Sequence, residues 1–320
     1  MIIVGSTLSE FCRYDEKARS LLQEAGFMLR ENPAGKRPDK RQTIELLRDC
    51  DAVLAGVEPY DEEVLQALPR LRCISRCGMG TDSIDMHATS RRNIGVFATT
   101  DEVVRPVAEM TVAMVFALAR RFPLFARASA VDFWKKHTGR LLSELVVGLV
   151  GYGRIGREVE RCLVPLVKRI LVYDPYVDMS ALSTGVEPCA FDALLKNSDI
   201  VTLHVNRPAS DGVMIGEREF ALMRQGAYLV NTARGHLVDE EALIVALKSG
   251  WLAGAALDVY AQEPYSGPLL SIPQVLCVPH VATLTVSSRI QMETRCALNV
   301  IDFFTSQRLL SGSLTGRGVS

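Results

Sequence analysis

The apolar residues of this chain gather in short unbroken runs rather than in alternating patterns. In the first hundred residues Ile2–Gly5, Asp51–Gly56 and Leu71–Cys77 read as strands, with helix-like stretches at Asp15–Ala25 and Glu62–Ala67. Continuous apolar runs bounded by turn residues are the signature of strands covered on both faces. Their alternation with helices predicts βαβ units and a parallel sheet. The intervening ENPAGKRPDKRQ is broken by Gly and Pro and reads as a solvated basic loop.

From Pro106 a helix is predicted over PVAEMTVAMVFALARR, with proline in its first turn and arginines in its last. It is apolar on most faces and therefore buried. Six further runs follow, at Val146–Val150, Ile170–Tyr173, Ile200–His204, Ala227–Asn231, Ala253–Leu257 and Val275–Val278. Helical segments separate them, as in a doubly wound nucleotide-binding sheet. The segment SSRIQMETRCALNVIDFF carries Ile290, Ala297, Val300, Ile301 and Phe304 at helical spacing and is expected to return to the first half of the chain. The expected division is then 1–104 with 288–320 as one domain and 105–287 as the other. The Gly- and Ser-rich tail SGSLTGRGVS is expected to be mobile.

A length of 320 residues favours two cores over one. The net charge of -1 gives no general reason to expect nucleic acid or an anionic membrane as partner. The start MIIVGSTLSE has no basic region of a secretion signal, and the apolar stretch from Met110 to Ala119 is too short to span a bilayer. A cytoplasmic protein is expected. Eight cysteines lack a paired framework, and only Cys73 and Cys77 approach a motif, so reduced thiols and no metal are expected.

Chemistry enters at LVVGLVGYGRIGREVE. Gly151, Gly153 and Gly156 form G-x-G-x-x-G directly after an apolar strand and before a helix. The first glycine permits a tight turn, the second admits a pyrophosphate against the backbone, and the third lets helix and strand pack closely. The free N–H groups of the helix N-terminus then face the phosphates. Asp174 ends the next strand, eighteen residues after Gly156, where an acid accepts ribose hydroxyls and repels a 2′-phosphate. Pro175 and Tyr176 add no cation, so NAD is favoured over NADP.

Arg234, Glu263 and His280 each stand at or beyond the end of an apolar run, in GAYLVNTARG, LAGAALDVYAQEP and QVLCVPH. In an open parallel sheet such positions meet in one crevice. Removing a hydride from a 2-hydroxy acid leaves a hydroxyl proton, which an imidazole can take near neutral pH. A neighbouring carboxylate favours the imidazolium, and a guanidinium can clamp a substrate carboxylate. His280, Glu263 and Arg234 are the candidates for these roles.

With these segments in view the chain resembles the D-isomer-specific 2-hydroxyacid dehydrogenase family. The glycine fingerprint, NTARGHLVDEEAL, GAALDVYAQEP and PHVA stand in that family's order. The resemblance implies an α/β fold of two Rossmann-like, doubly wound parallel-sheet domains, the cofactor domain inserted in the substrate domain. It implies NAD as cofactor, a small 2-hydroxy or 2-keto acid as substrate, and a homodimer formed through the cofactor domain. It further implies that Arg154, Ile155, His204, Val205, Thr232, Ala233, Asp258 and Ala282 line the NAD site. Formate dehydrogenases share the architecture but carry glutamine at the position of Glu263, which argues against formate oxidation.

The segment RCGMGTDSIDMHATSRR is similar to the phosphoglycerate dehydrogenase branch. That similarity implies backbone N–H groups of Gly78, Met79 and Gly80 for the substrate carboxylate, with Arg76 and Arg91 serving a phosphate. Asp82 and Asp85 read as turn or helix caps. Two departures stand out: no Asn-x-Pro occurs near Ala98, and DEVVRP replaces an Asn-rich loop. The expected activity is NAD-dependent dehydrogenation of a D-2-hydroxy acid of the D-3-phosphoglycerate kind. The alternatives are a glyoxylate or hydroxypyruvate reductase and a non-catalytic NAD-sensing protein like the family's co-repressors.

Overall fold

The computed structural model describes residues 1–127, 132–176, 182–183, 185–206 and 212–315, without the side chains beyond Ser306. The chain forms two units, Met1–Val103 with Leu284–Ser320, and Val104–Thr283. Both carry entirely parallel sheets.

In the first unit β1 (Ile3–Ser6), β2 (Met28–Glu31), β3 (Ala52–Ala55), β4 (Cys73–Arg76) and β5 (Gly95–Ala98) pair in the order β2-β1-β3-β4-β5. Helices α1 (Lys17–Glu24), α2 (Lys40–Leu47), α3 (Glu62–Gln66) and α4 (Met86–Arg91) connect them. Every residue of the central strand β3 is buried, as its AVLA run predicts. Two strands the run pattern did not flag, β2 and β5, are the sheet's edges, and their residues MLRE and GVFA stay partly exposed. The basic loop also ends sooner than expected. Asp39 accepts the Gln42 N–H while the Gln42 side chain accepts the Asp39 N–H, and this capping box starts α2 inside the loop.

The second unit holds, in chain order, α5 (Val104–Ala119), α6 (Phe122–Ala126), β6 (Val146–Val150), α7 (Arg154–Leu163), β7 (Arg169–Tyr173) and β8 (Val186–Pro188). There follow α8 (Phe191–Asn197), β9 (Ile200–Leu203), α9 (Glu217–Leu222), β10 (Ala227–Asn231), α10 (Glu240–Lys248), β11 (Leu252–Leu257) and β12 (Val275–Cys277). The order β12-β11-β10-β9-β6-β7-β8 has one more strand than expected, the short edge strand β8. Strands β6, β9 and β10 are buried throughout, and α5 packs Met114, Val115 and Leu118 into the core on one face. The order reverses direction between β6 and β9, which makes their carboxyl ends the switch point where doubly wound sheets bind ligands.

The chain then re-enters the first unit as α11 (Val286–Thr315), which buries Met292, Cys296, Ala297, Val300 and Phe304. Ile290, expected on that face, is only partly buried. Residues 311–315 of the tail continue the helix, and 316–320 lie outside the described residues. Among the described residues no helix is long and apolar enough to cross a membrane.

Candidate active site

The glycine loop lies at the β6–β9 switch point, and each glycine has its own steric reason. Gly151 adopts φ +95°, and a Cβ there would sit 2.6 Å from the His204 carbonyl oxygen at the end of β9. A Cβ on Gly156 would fall 2.3 Å from the Gly151 carbonyl, so α7 rests directly on the turn. Gly153, the residue preceding α7, has open space within 4 Å. That is the room a pyrophosphate needs at the helix N-terminus. Arg154 and Ile155 open the helix, and the Val205 Cγ1 closes on Gly151.

Asp174 follows β7 and reaches back to this loop. One carboxylate oxygen accepts the Tyr152 N–H at 2.7 Å, the other the Tyr176 N–H at 2.9 Å. The acid is thereby fixed beside the second glycine, where a ribose would meet it. His204 is partly buried; its Nε2 is 3.1 Å from Thr202 Oγ1, and its buried Nδ1 has no partner among the described residues. Burial holds its pKa down at about 3, so the ring is neutral. Open space at Gly153, an anchored acid and an unpaired imidazole nitrogen together fit a dinucleotide. Thr232 is less available than expected, because its hydroxyl lies 3.0 Å from Thr111 Oγ1 of α5.

Arg234, Glu263 and His280 follow β10, β11 and β12, three adjacent strands, and the structure brings them together. His280 Nδ1 and Glu263 Oε2 are 2.8 Å apart. This pairing is the first cause of a raised His280 pKa, opposed by burial and by the nearby Arg234 cation. His280 itself sits in the left-handed region (φ +54°), at a cost of about 1 kcal/mol or more for a non-glycine residue. The following turn offsets this. Buried Asp258 accepts the Val281 N–H at 2.6 Å and the Ala282 N–H at 3.2 Å. Arg234 is oriented from behind: Asn231 accepts the Ala233 N–H and donates to the Arg234 carbonyl. Such an arrangement can clamp an anion and exchange a proton beside it.

In the first unit, the loop after β4 is less open than the glycines suggest. The Gly78 N–H donates to Thr99 Oγ1 at 2.7 Å, leaving the Met79 and Gly80 amides without a protein partner among the described residues. Arg76 folds over Gly78 and donates to the Cys77 carbonyl, while its Nε is buried without a partner among the described residues. Arg91 is exposed and pairs with Glu62, which also holds Arg92 at 2.6 Å. Asp85 caps α4 by accepting the Ala88 N–H at 2.8 Å. Sequence reasoning missed Tyr260, which touches the loops of Arg234, Glu263 and His280.

Comparison with known proteins matches residues 112–282 to the family model of the D-isomer specific 2-hydroxyacid dehydrogenase NAD-binding domain. A glyoxylate reductase of Thermofilum pendens is 36% identical over 297 residues, covering 89% of this chain and 88% of that one. A D-3-phosphoglycerate dehydrogenase of Archaeoglobus fulgidus is 38% identical over 267 residues, 81% of this chain but 51% of the longer relative. The solved glyoxylate reductase of Paecilomyes thermophila superimposes with a TM-score of 0.82 at 28% identity, covering 93% of this chain and 94% of that one.

Proposed function

This chain belongs to the D-isomer specific 2-hydroxyacid dehydrogenase family and is NAD-dependent, and from that premise we propose that it reduces a small, unphosphorylated 2-keto acid of the glyoxylate or hydroxypyruvate kind. NADH supplies the hydride when bound. His280 holds the proton that the developing alkoxide takes up, and in the reverse direction removes it from the hydroxyl. Glu263 keeps the ring charged and oriented through Nδ1. Arg234 clamps the substrate carboxylate. Gly151, Gly153, Gly156, Asp174, His204 and Asp258 belong to the cofactor side. The first unit is the substrate-binding domain, where the Met79 and Gly80 amides offer donors for a carboxylate.

The observation that carries the choice of substrate is the state of the two arginines a phosphate would need. Arg91 is held by the Glu62 carboxylate, and Arg76 spends one guanidinium nitrogen on the Cys77 carbonyl. One observation favours the second reading, D-3-phosphoglycerate oxidation: the Arg76 Nε is buried with no partner among the described residues, as an anion-binding group would be. Measuring kcat/KM for glyoxylate, hydroxypyruvate and D-3-phosphoglycerate decides between them. A value for phosphoglycerate above those of both keto acids would reverse the assignment.

The protein is proposed to act as a homodimer in the cytoplasm. Between residues 116 and 141 of the second unit, Phe116, Phe122, Phe125, Phe133, Trp134 and Leu141 are all exposed, an apolar density that a second copy would cover. All eight cysteines are unbonded, as a reducing compartment requires. Sedimentation of the protein as a monomer at micromolar concentration would exclude the dimer.

A further inference from the structure

We propose that Tyr260 is a positioning residue that holds Glu263 and His280 at hydrogen-bonding distance, an inference that rests on the acid–base role given to His280 above. Tyr260 is nearly buried and meets all three loops at once. Its backbone N–H donates to Glu263 Oε1 at 3.1 Å, which leaves Oε2 to face His280 Nδ1 at 2.8 Å. Its hydroxyl lies 2.9 Å from the carbonyl of Val278, two residues before His280, and 3.1 Å from that of Leu257 at the end of β11. One side chain thus ties the strand end that precedes Glu263 to the backbone that delivers His280. Its ring stacks on Tyr265, just beyond Glu263, with centroids 4.4 Å apart and planes 15° apart.

The third loop arrives by close packing. A Cβ on Gly235 would lie 1.8 Å from the Tyr260 carbonyl carbon, so only glycine lets the Arg234 turn approach this closely. Burial keeps the Tyr260 phenol far above its ordinary pKa, and the hydroxyl stays a neutral donor across the working pH range. The ionisable groups around it are Cys277, Asp258 and Tyr265, and those around His280 are Glu263, Asp258 and Arg234. Glu263 is therefore the main group through which a small shift in loop spacing would reach His280.

The test replaces Tyr260 by phenylalanine, which keeps the ring and its stack but removes the hydroxyl. The readout is the His280 ring titration followed by NMR in cofactor-free protein, together with kcat and the KM for NADH. We expect the His280 midpoint to move down, kcat for keto-acid reduction to fall by about threefold to tenfold, and the KM for NADH to hold. In a Glu263→Gln background the same change should no longer move the titration. Tyr265→Leu, which loosens the stack from the other side, should move it in the same direction but less. An unmoved titration in both variants, or an equal loss of kcat with and without Glu263, would overturn the proposal. A shifted titration in a protein that reduces no 2-keto acid would instead defeat the functional reading and leave the positioning role standing.

Discussion

Two sets of loops in this molecule leave the carboxyl ends of parallel strands, and they differ in how far distant segments hold them. After β10, β11 and β12 the side chains are braced from behind. His280 meets Glu263 at 2.8 Å, and Asp258 holds the two residues after His280 through their N–H groups. After β4 the polar groups satisfy one another locally, with Arg76 on the Cys77 carbonyl, Gly78 on Thr99, and Arg91 on exposed Glu62. A group that exchanges a proton must hold its geometry before substrate arrives, because that geometry sets both its pKa and its reach. An exposed cation paired with a carboxylate, as Arg91 is with Glu62, must first give up that partner to bind a ligand.

The largest effect is expected at the braced end. His280→Ala should lower kcat by about two to four orders of magnitude, the usual worth of a positioned acid–base group, with NADH affinity nearly unchanged. A loss below tenfold, measured by steady-state kinetics, would mean that the proton takes another route.

Glu263→Gln should cost less, about tenfold in kcat, in line with the loss of a charge-assisted hydrogen bond. The direction of its pH effect is fixed. Glu263 raises the His280 pKa, so its removal lowers it. Keto-acid reduction, which needs the imidazolium, should therefore lose activity at lower pH in the variant than in the parent. The same linkage bears on folding. The pair's stabilisation is fully present below the ordinary histidine pKa and is lost as pH rises through the raised one. An unshifted rate profile would dissolve the distinction between the two regions.

The smallest effect is expected at Arg91. An exposed ion pair contributes about 0–1 kcal/mol, so Arg91→Ala should leave the melting temperature nearly unchanged and the glyoxylate kcat/KM within about twofold of the parent. A selective collapse of phosphoglycerate turnover would instead show that Arg91 leaves Glu62 to bind phosphate.

Much of the fold was legible because its signals are local. Fully buried strands such as VVGLV and AYLVN announce themselves as apolar runs, and G-x-G-x-x-G between strand and helix needs no distant partner to be read. The strands that escaped notice, β2, β5 and β8, are all edges. A strand paired on one side only is partly exposed and need not be apolar, so no run marks it. The capping box at Asp39 went unread because the surrounding Gly, Pro and basic residues pointed to a loop.

The sequence by itself therefore determined the class of fold, the glycine turn between strand and helix, the position of Asp174 at the end of the next strand, and the three strand ends carrying Arg234, Glu263 and His280. Each of these follows from residues close together in the chain. Tertiary structure alone decided how those residues are held and which cations are engaged. The Asp258 clamp on the turn after His280, the Tyr260 hydroxyl between Leu257 and Val278, and the pairing of Arg91 with Glu62 all join segments distant in sequence. A hydrogen bond needs its donor and acceptor placed to within a few tenths of an ångström, and only the folded packing of helices and strands sets that.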